Sequence, residues 1–258
     1  MKALVLAAAL VASPALAQTN APPPVPSDHT ADRDFDPAAM ARARAVLRQE
    51  HGGMRYSQVM ADSLEVGDGA YAWEGRAWVG GDLTRAVFKT RGEGAEGERP
   101  DTAEVQALWS RAIGPYFDVQ AGLRKDLGSG PHRTWAVLGT EGLAPYWFDV
   151  QGAVFLSDRG EVLARGEGSF DLRITQRLIL QPRAELEAAA RDSDALGLGA
   201  ALTRAEAGLR LRYEVSRRFA PYVGLAWERK LGETASIARA AGEDVGGSRI
   251  VVGIRAWN

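Results

Sequence analysis

From Met54 to the end of the chain, hydrophobic and polar positions alternate with a period of two. The alternation is clearest over residues 202–215. Ala205, Ala207, Leu209, Leu211, Tyr213 and Val215 fall on one side. Arg204, Glu206, Gly208, Arg210, Arg212 and Glu214 fall on the other. Successive side chains of a β-strand point to opposite faces, so this stretch is one strand with an apolar and a charged face. Residues 178–188, 162–174 and 117–126 repeat the pattern. Twelve such segments are predicted: 54–66, 70–80, 83–92, 103–111, 116–126, 133–142, 146–156, 161–174, 178–190, 202–215, 219–231 and 248–258. Each has about the length of a tilted strand that crosses a bilayer.

The joints carry a second signal. Those after the second, fourth, sixth, eighth and tenth segments are short, as in Gly80-Gly81-Asp82 and Ser216-Arg217-Arg218. Those after the third, fifth, ninth and eleventh are longer, although the first and seventh are also short. Short turns at one end and longer loops at the other describe an outer-membrane barrel. An even strand count puts both termini at the short-turn, periplasmic end. The competing fold is a soluble sandwich or lipocalin-like barrel with its apolar face inward. Two features favour the membrane. The polar faces carry dense charges of both signs, which can pair across a narrow lumen. Aromatics gather near strand ends: Tyr71, Trp73, Trp109, Tyr116, Phe117, Trp135, Tyr146, Trp147, Tyr222, Trp227 and Trp257. That suits interfacial girdles. The fold expected is all-β, a transmembrane barrel of about twelve antiparallel strands with a short N-terminal helix.

The start of the chain reads differently. Lys2, the apolar run from Ala3 to Val11 and Ala15-Leu16-Ala17 form a secretory signal peptide, expected over residues 1–17 with Gln18 as the mature start. Residues 18–35, rich in Pro, Asn, Asp and Ser, are expected to be a disordered periplasmic arm. Residues 36–53 hold a short amphipathic helix and a Gly-Gly hinge, with Asp36 as its cap and Pro37 at its first position. Residues 54–258 are the barrel. No stretch of about 18 consecutive apolar residues offers a spanning helix. Cysteine is absent, and a net charge of −2 argues against a nucleic-acid partner.

Several runs resemble the copper resistance protein B family. They are Asp36-Pro37-Ala38-Ala39-Met40, His51-Gly52-Gly53-Met54, Leu64-Glu65, Trp78-Val79-Gly80-Gly81-Asp82, Gly142-Leu143-Ala144-Pro145-Tyr146-Trp147-Phe148, Gly208-Leu209-Arg210-Leu211-Arg212-Tyr213-Glu214 and Ala220-Pro221-Tyr222-Val223-Gly224. The resemblance implies an outer-membrane barrel that binds copper and moves or sequesters it, contributing to copper resistance and homeostasis. Implied partners are outer-membrane lipid, copper ions and a periplasmic multicopper oxidase. The alternative is a passive or structural pore without specific metal binding. The chain departs from the family in two places. Its N-terminal segment lacks the Met/His/Asp repeats of many members and holds one histidine, His29. It also ends on Asn258, where outer-membrane strands usually end in an aromatic.

Copper(I) is soft and takes thioether, thiolate and imidazole ligands. Without cysteine, the mature inventory is Met40, Met54, Met60, His29, His51 and His132. Three of these six, His51, Met54 and Met60, lie within ten residues where the chain enters the barrel, and they are the candidate metal site. Copper is expected to be held loosely, with its oxidation state left open. Asp62 and Glu65 are possible ligands for copper(II), with salt bridges to lumen arginines as the preferred reading. No catalytic residues are expected: Ser129 and His132 share a loop without an orienting partner.

Overall fold

The computed structural model describes residues 30–51 and 54–258, with the backbone alone at Arg48, Gln49 and His51. The expected signal peptide, most of the arm including His29, and the Gly52-Gly53 hinge lie outside the described residues. The chain forms two units, dividing after Met54. In the first, a short 3-10 turn (Thr30–Arg33) precedes helix α1 (Pro37–His51). Asp36 accepts a hydrogen bond from the Ala39 amide at 2.9 Å and so caps the helix. Arg44 grips Asp32 through both terminal guanidinium nitrogens, at 2.6 and 3.0 Å.

The second unit is a closed antiparallel barrel. Its strands are β1 (Tyr56–Gly67), β2 (Ala70–Gly80), β3 (Thr84–Ala95), β4 (Thr102–Ala112), β5 (Phe117–Asp126), β6 (Thr134–Ala144), β7 (Phe148–Ser157), β8 (Val162–Ser169), β9 (Leu172–Arg173), β10 (Leu178–Ala189), β11 (Ala201–Tyr213), β12 (Phe219–Lys230) and β13 (Gly246–Trp257). Neighbours pair in sequence order, β10 pairs with both β8 and β9, and β1 pairs with β13 to close the ring. β9 continues the stave that β8 begins, so the ring has twelve staves. Each lies within three residues of an expected segment.

The break between β8 and β9 has a local cause. The Phe170 amide donates to the Pro182 carbonyl at 3.1 Å. Proline has no amide hydrogen to return, so the ladder fails at that point. At the seam, Asn258 extends the closure. Its side-chain Oδ1 accepts from the Val59 amide at 2.9 Å, and its own amide donates to the Val59 carbonyl.

Which face points inward is settled by exposure. Leu209, Val223, Leu225, Ile250 and Val252 are exposed, whereas Glu185 is 2 % exposed, Arg212 3 % and Glu65 5 %. A water-soluble fold does not expose its leucines and bury its carboxylates. A barrel in lipid does, because the hydrocarbon takes the apolar face and only a closed sheet satisfies every strand edge. Tyr116, Tyr146 and Trp147 stand out on this outer surface at the terminus end of the barrel, where β1 begins and β13 ends. Trp135 and Tyr222 do not belong to a girdle. Both are buried on the lumen side, where the Trp135 ring nitrogen donates to Asp126 at 2.7 Å and the Tyr222 hydroxyl to Glu65 at 2.9 Å. Their nearness to strand ends misleads, because parity turns them inward. Trp257 also lies lumenward, under the Arg255 guanidinium.

A bulge in β1 matters for the lumen. The pairing of β1 with β2 slips between Ala61 and Ser63. Strict alternation would put Met60 and Glu65 on opposite faces. The extra residue re-phases the strand, so Met60, Asp62, Ser63 and Glu65 all reach the inside. The joints at the terminus end are short. At the opposite, loop end, the β10–β11 connection holds a 3-10 turn (Asp194–Leu196), and the β12–β13 connection holds helix α2 (Gly232–Ala240). The sequence reading has only a long loop where α2 forms.

Candidate functional site: the ion-paired lumen

The inward faces of the strands bring arginines and carboxylates into one enclosed space. Glu185 on β10 sits at the centre, its side chain 1 % exposed. It accepts from Arg91 at 3.0 and 3.1 Å and from Arg183 at 3.3 Å, and pairs with Arg165 at 3.3 Å. β3 and β10 are six steps apart around the twelve staves, so Arg91–Glu185 spans the full width of the lumen. Arg183 also bonds Glu74 at 2.5 Å and Glu167 at 2.8 Å. Arg165 reaches across to Glu104 with both terminal nitrogens and to Glu187 at 2.8 Å. Guanidinium forks on carboxylates fix geometry as well as charge. Arg91–Glu185, Arg183–Glu74 and Arg165–Glu104 tie non-neighbouring staves together, while Arg183–Glu167 and Arg165–Glu187 link the paired neighbours β8 and β10.

Nearer the termini, Lys89 donates to Glu141 at 2.7 Å, Gln120 at 3.1 Å and Gln151 at 3.3 Å, which uses all three ammonium hydrogens. Arg76 holds Asp62 at 3.0 and 3.1 Å, and Arg210 holds Glu65 at 2.5 Å. The two acidic residues weighed as hard ligands are thus salt-bridge partners of lumen arginines. An apolar cluster of Val87, Leu108, Trp135, Val137 and Phe155 lines the β3–β7 side. Between it and the charges lies a cavity bordered by Arg76, Lys89, Gln120, Gln151 and Glu167.

The three expected metal ligands fall as follows. Met60 faces the lumen on β1, and its sulfur accepts a long contact from Arg255 Nη2 at 3.6 Å. Met54 is exposed ahead of β1 and belongs to the N-terminal unit, as does His51 at the end of α1. Among the described residues, no three His, Cys, Asp or Glu side chains converge as a metal-binding group. Nothing in the local sequence marks Arg255 as the partner of Met60. It packs over Trp257, and its nearest carboxylate, Asp62, is 3.8 Å away. His132 and Ser129 are engaged separately. The His132 ring nitrogen Nδ1 lies 3.1 Å from the Asp126 carbonyl, and the Ser129 hydroxyl donates to the Asp101 carbonyl.

A closed antiparallel barrel of twelve staves, apolar outside and ion-paired within, is an outer-membrane barrel. Its fold is similar to the crystal structure of the NanC porin, with a TM-score of 0.50 at 12% identity over 78% of this chain and 99% of that one. The family model described as copper resistance protein B precursor matches residues 55–258. The chain is 42% identical over 250 residues to a copper resistance protein B homolog of Pseudomonas syringae pv. tomato, covering 95% of this chain and 82% of that protein. It is 41% identical over 187 residues to copper resistance protein B of Escherichia coli, covering 72% of this chain and 63% of that protein. The chain belongs to the copper resistance protein B family, which supports a role in copper resistance at the outer membrane.

Proposed function

We propose that the barrel handles copper as cargo, taking it up loosely from the terminus end. The observation that carries this reading is Met60. Among the described residues of the barrel unit, it is the sulfur ligand that faces the lumen, and it does so within a chain of the copper resistance protein B family. A thioether is a soft donor suited to copper(I). The Arg255 hydrogen bond to its sulfur must be given up when a cation arrives, and Asp62 is at hand to take the guanidinium. Displacing that contact keeps binding weak, and weak stops favour release. His51 and Met54 precede the barrel in sequence and serve as an earlier stop. In this reading the first 17 residues are removed on export and the arm and helix lie in the periplasm. A periplasmic multicopper oxidase is then the natural partner. The role is one of binding and passage or sequestration, without catalysis.

The test is competition titration with a copper(I) chelator. Wild type is compared with His51→Ala/Met54→Ala and with Met60→Leu. Each variant is expected to lose part of the copper held. Unchanged stoichiometry and affinity in both would end the ligand assignment. A wild type that holds no copper would favour a passive pore.

A further inference from the structure

The β10–β11 connection, residues 190–200, does not stand away from the barrel. Leu196 packs against the lumen-facing apolar cluster that includes Trp135 and Phe155. Leu198 shares a small cavity with Arg124 on β5 and Leu163 on β8. A segment that leaves β10 and returns to β11 therefore leans over the β5–β8 side of the lumen at the loop end.

Pins hold it there. The Gly199 amide donates to the Thr234 hydroxyl of α2 at 2.9 Å. A Cβ at Gly199 would lie 2.3 Å from that of Glu233, so only glycine permits so close an approach of α2. Arg191 donates to the Gly160 carbonyl in the β7–β8 turn at 2.8 Å. The segment is braced internally, with Ser193 and Leu198 exchanging backbone hydrogen bonds at 2.8 and 3.1 Å and Asp192 accepting from the Ala200 amide. Its junction with β11 is Ala201, at φ 72°, a left-handed conformation unfavourable for a residue with a side chain. A braced segment, one apolar anchor, two polar pins and a strained junction are the parts of a lid.

We propose that residues 190–200 are a lid that closes the loop-end mouth of the barrel and pivots at Ala201 to admit small solutes to the lumen. This stands apart from copper binding at the other end. Because the chain has no cysteine, one introduced thiol can report access. Leu163→Cys places it under the lid, beside Leu198. The folded barrel in detergent is treated with a charged maleimide, and the alkylation rate is compared with native and altered lids. Leu196→Asp removes the anchor. Arg191→Ala combined with Thr234→Val removes pins outside the lumen and covers the case in which Leu196→Asp fails to fold. Heat-modifiable migration on gels confirms folding of each. The lid predicts at least about tenfold faster labelling in the altered lids. Equal rates in folded native and altered barrels would overturn it.

Discussion

Glu185→Leu tests whether the lumen network holds the barrel together. The Glu185 side chain is 1 % exposed and meets Arg91, Arg165 and Arg183, all within 3.3 Å. Removing the carboxylate leaves three guanidinium groups crowded with less counter-charge. Breaking a buried pair by deleting one partner costs about 3–5 kcal/mol, since the remaining charge stays desolvated. Glu228 provides the contrast. It bonds Arg204 at 2.6 Å, but its side chain is 36% exposed, and water screens such a pair to about 1 kcal/mol or less. Glu185→Gln keeps the volume and an acceptor oxygen, and should fall between the two. The assay is urea unfolding of the folded barrel in lipid vesicles, followed by tryptophan emission. Glu185→Leu should lower stability several times more than Glu228→Leu. If the two variants lie within about 1 kcal/mol of each other, the central pairs are not what ties the staves across the lumen.

Pro182→Ala returns an amide hydrogen to β10 opposite Phe170. It should join β8 and β9 into one strand, seen as slower hydrogen exchange of the amides around Phe170; unchanged exchange would mean that the break has another cause. Tyr222→Phe removes the hydroxyl that donates to Glu65. Because Arg210 still serves that carboxylate, the loss should be about 1 kcal/mol by urea unfolding, and a loss near zero would count against a buried Tyr222–Glu65 bond.

The barrel was legible because a lipid-facing strand writes its two faces into alternate residues. The run from Arg204 to Tyr213 carries β11 with little else needed, and the charges on its inner side foreshadow the Arg204 and Arg210 pairs. Two features resisted that reading. Parity cannot see a bulge, so the arrival of Glu65 on the same side as Met60 followed only from the slipped register at Ala61. Proximity to a strand end is a weak guide to membrane girdles, as Trp135 and Tyr222 show by turning inward to Asp126 and Glu65. Helix α2 was hidden for a different reason. Its buried face is small, Thr234, Ala235 and Ala238, and such a face leaves a faint periodicity. The Met60 sulfur is plain in the sequence, but its neighbour Arg255 lies on β13, nearly two hundred residues away, and no local pattern couples the two.

Equilibrium dialysis of the folded, purified barrel against buffered copper(I) bears most directly on copper handling. Wild type should retain copper weakly and reversibly, well above protein-free micelles, and Met60→Leu should retain clearly less. Retention by wild type no greater than by the micelles alone would contradict it.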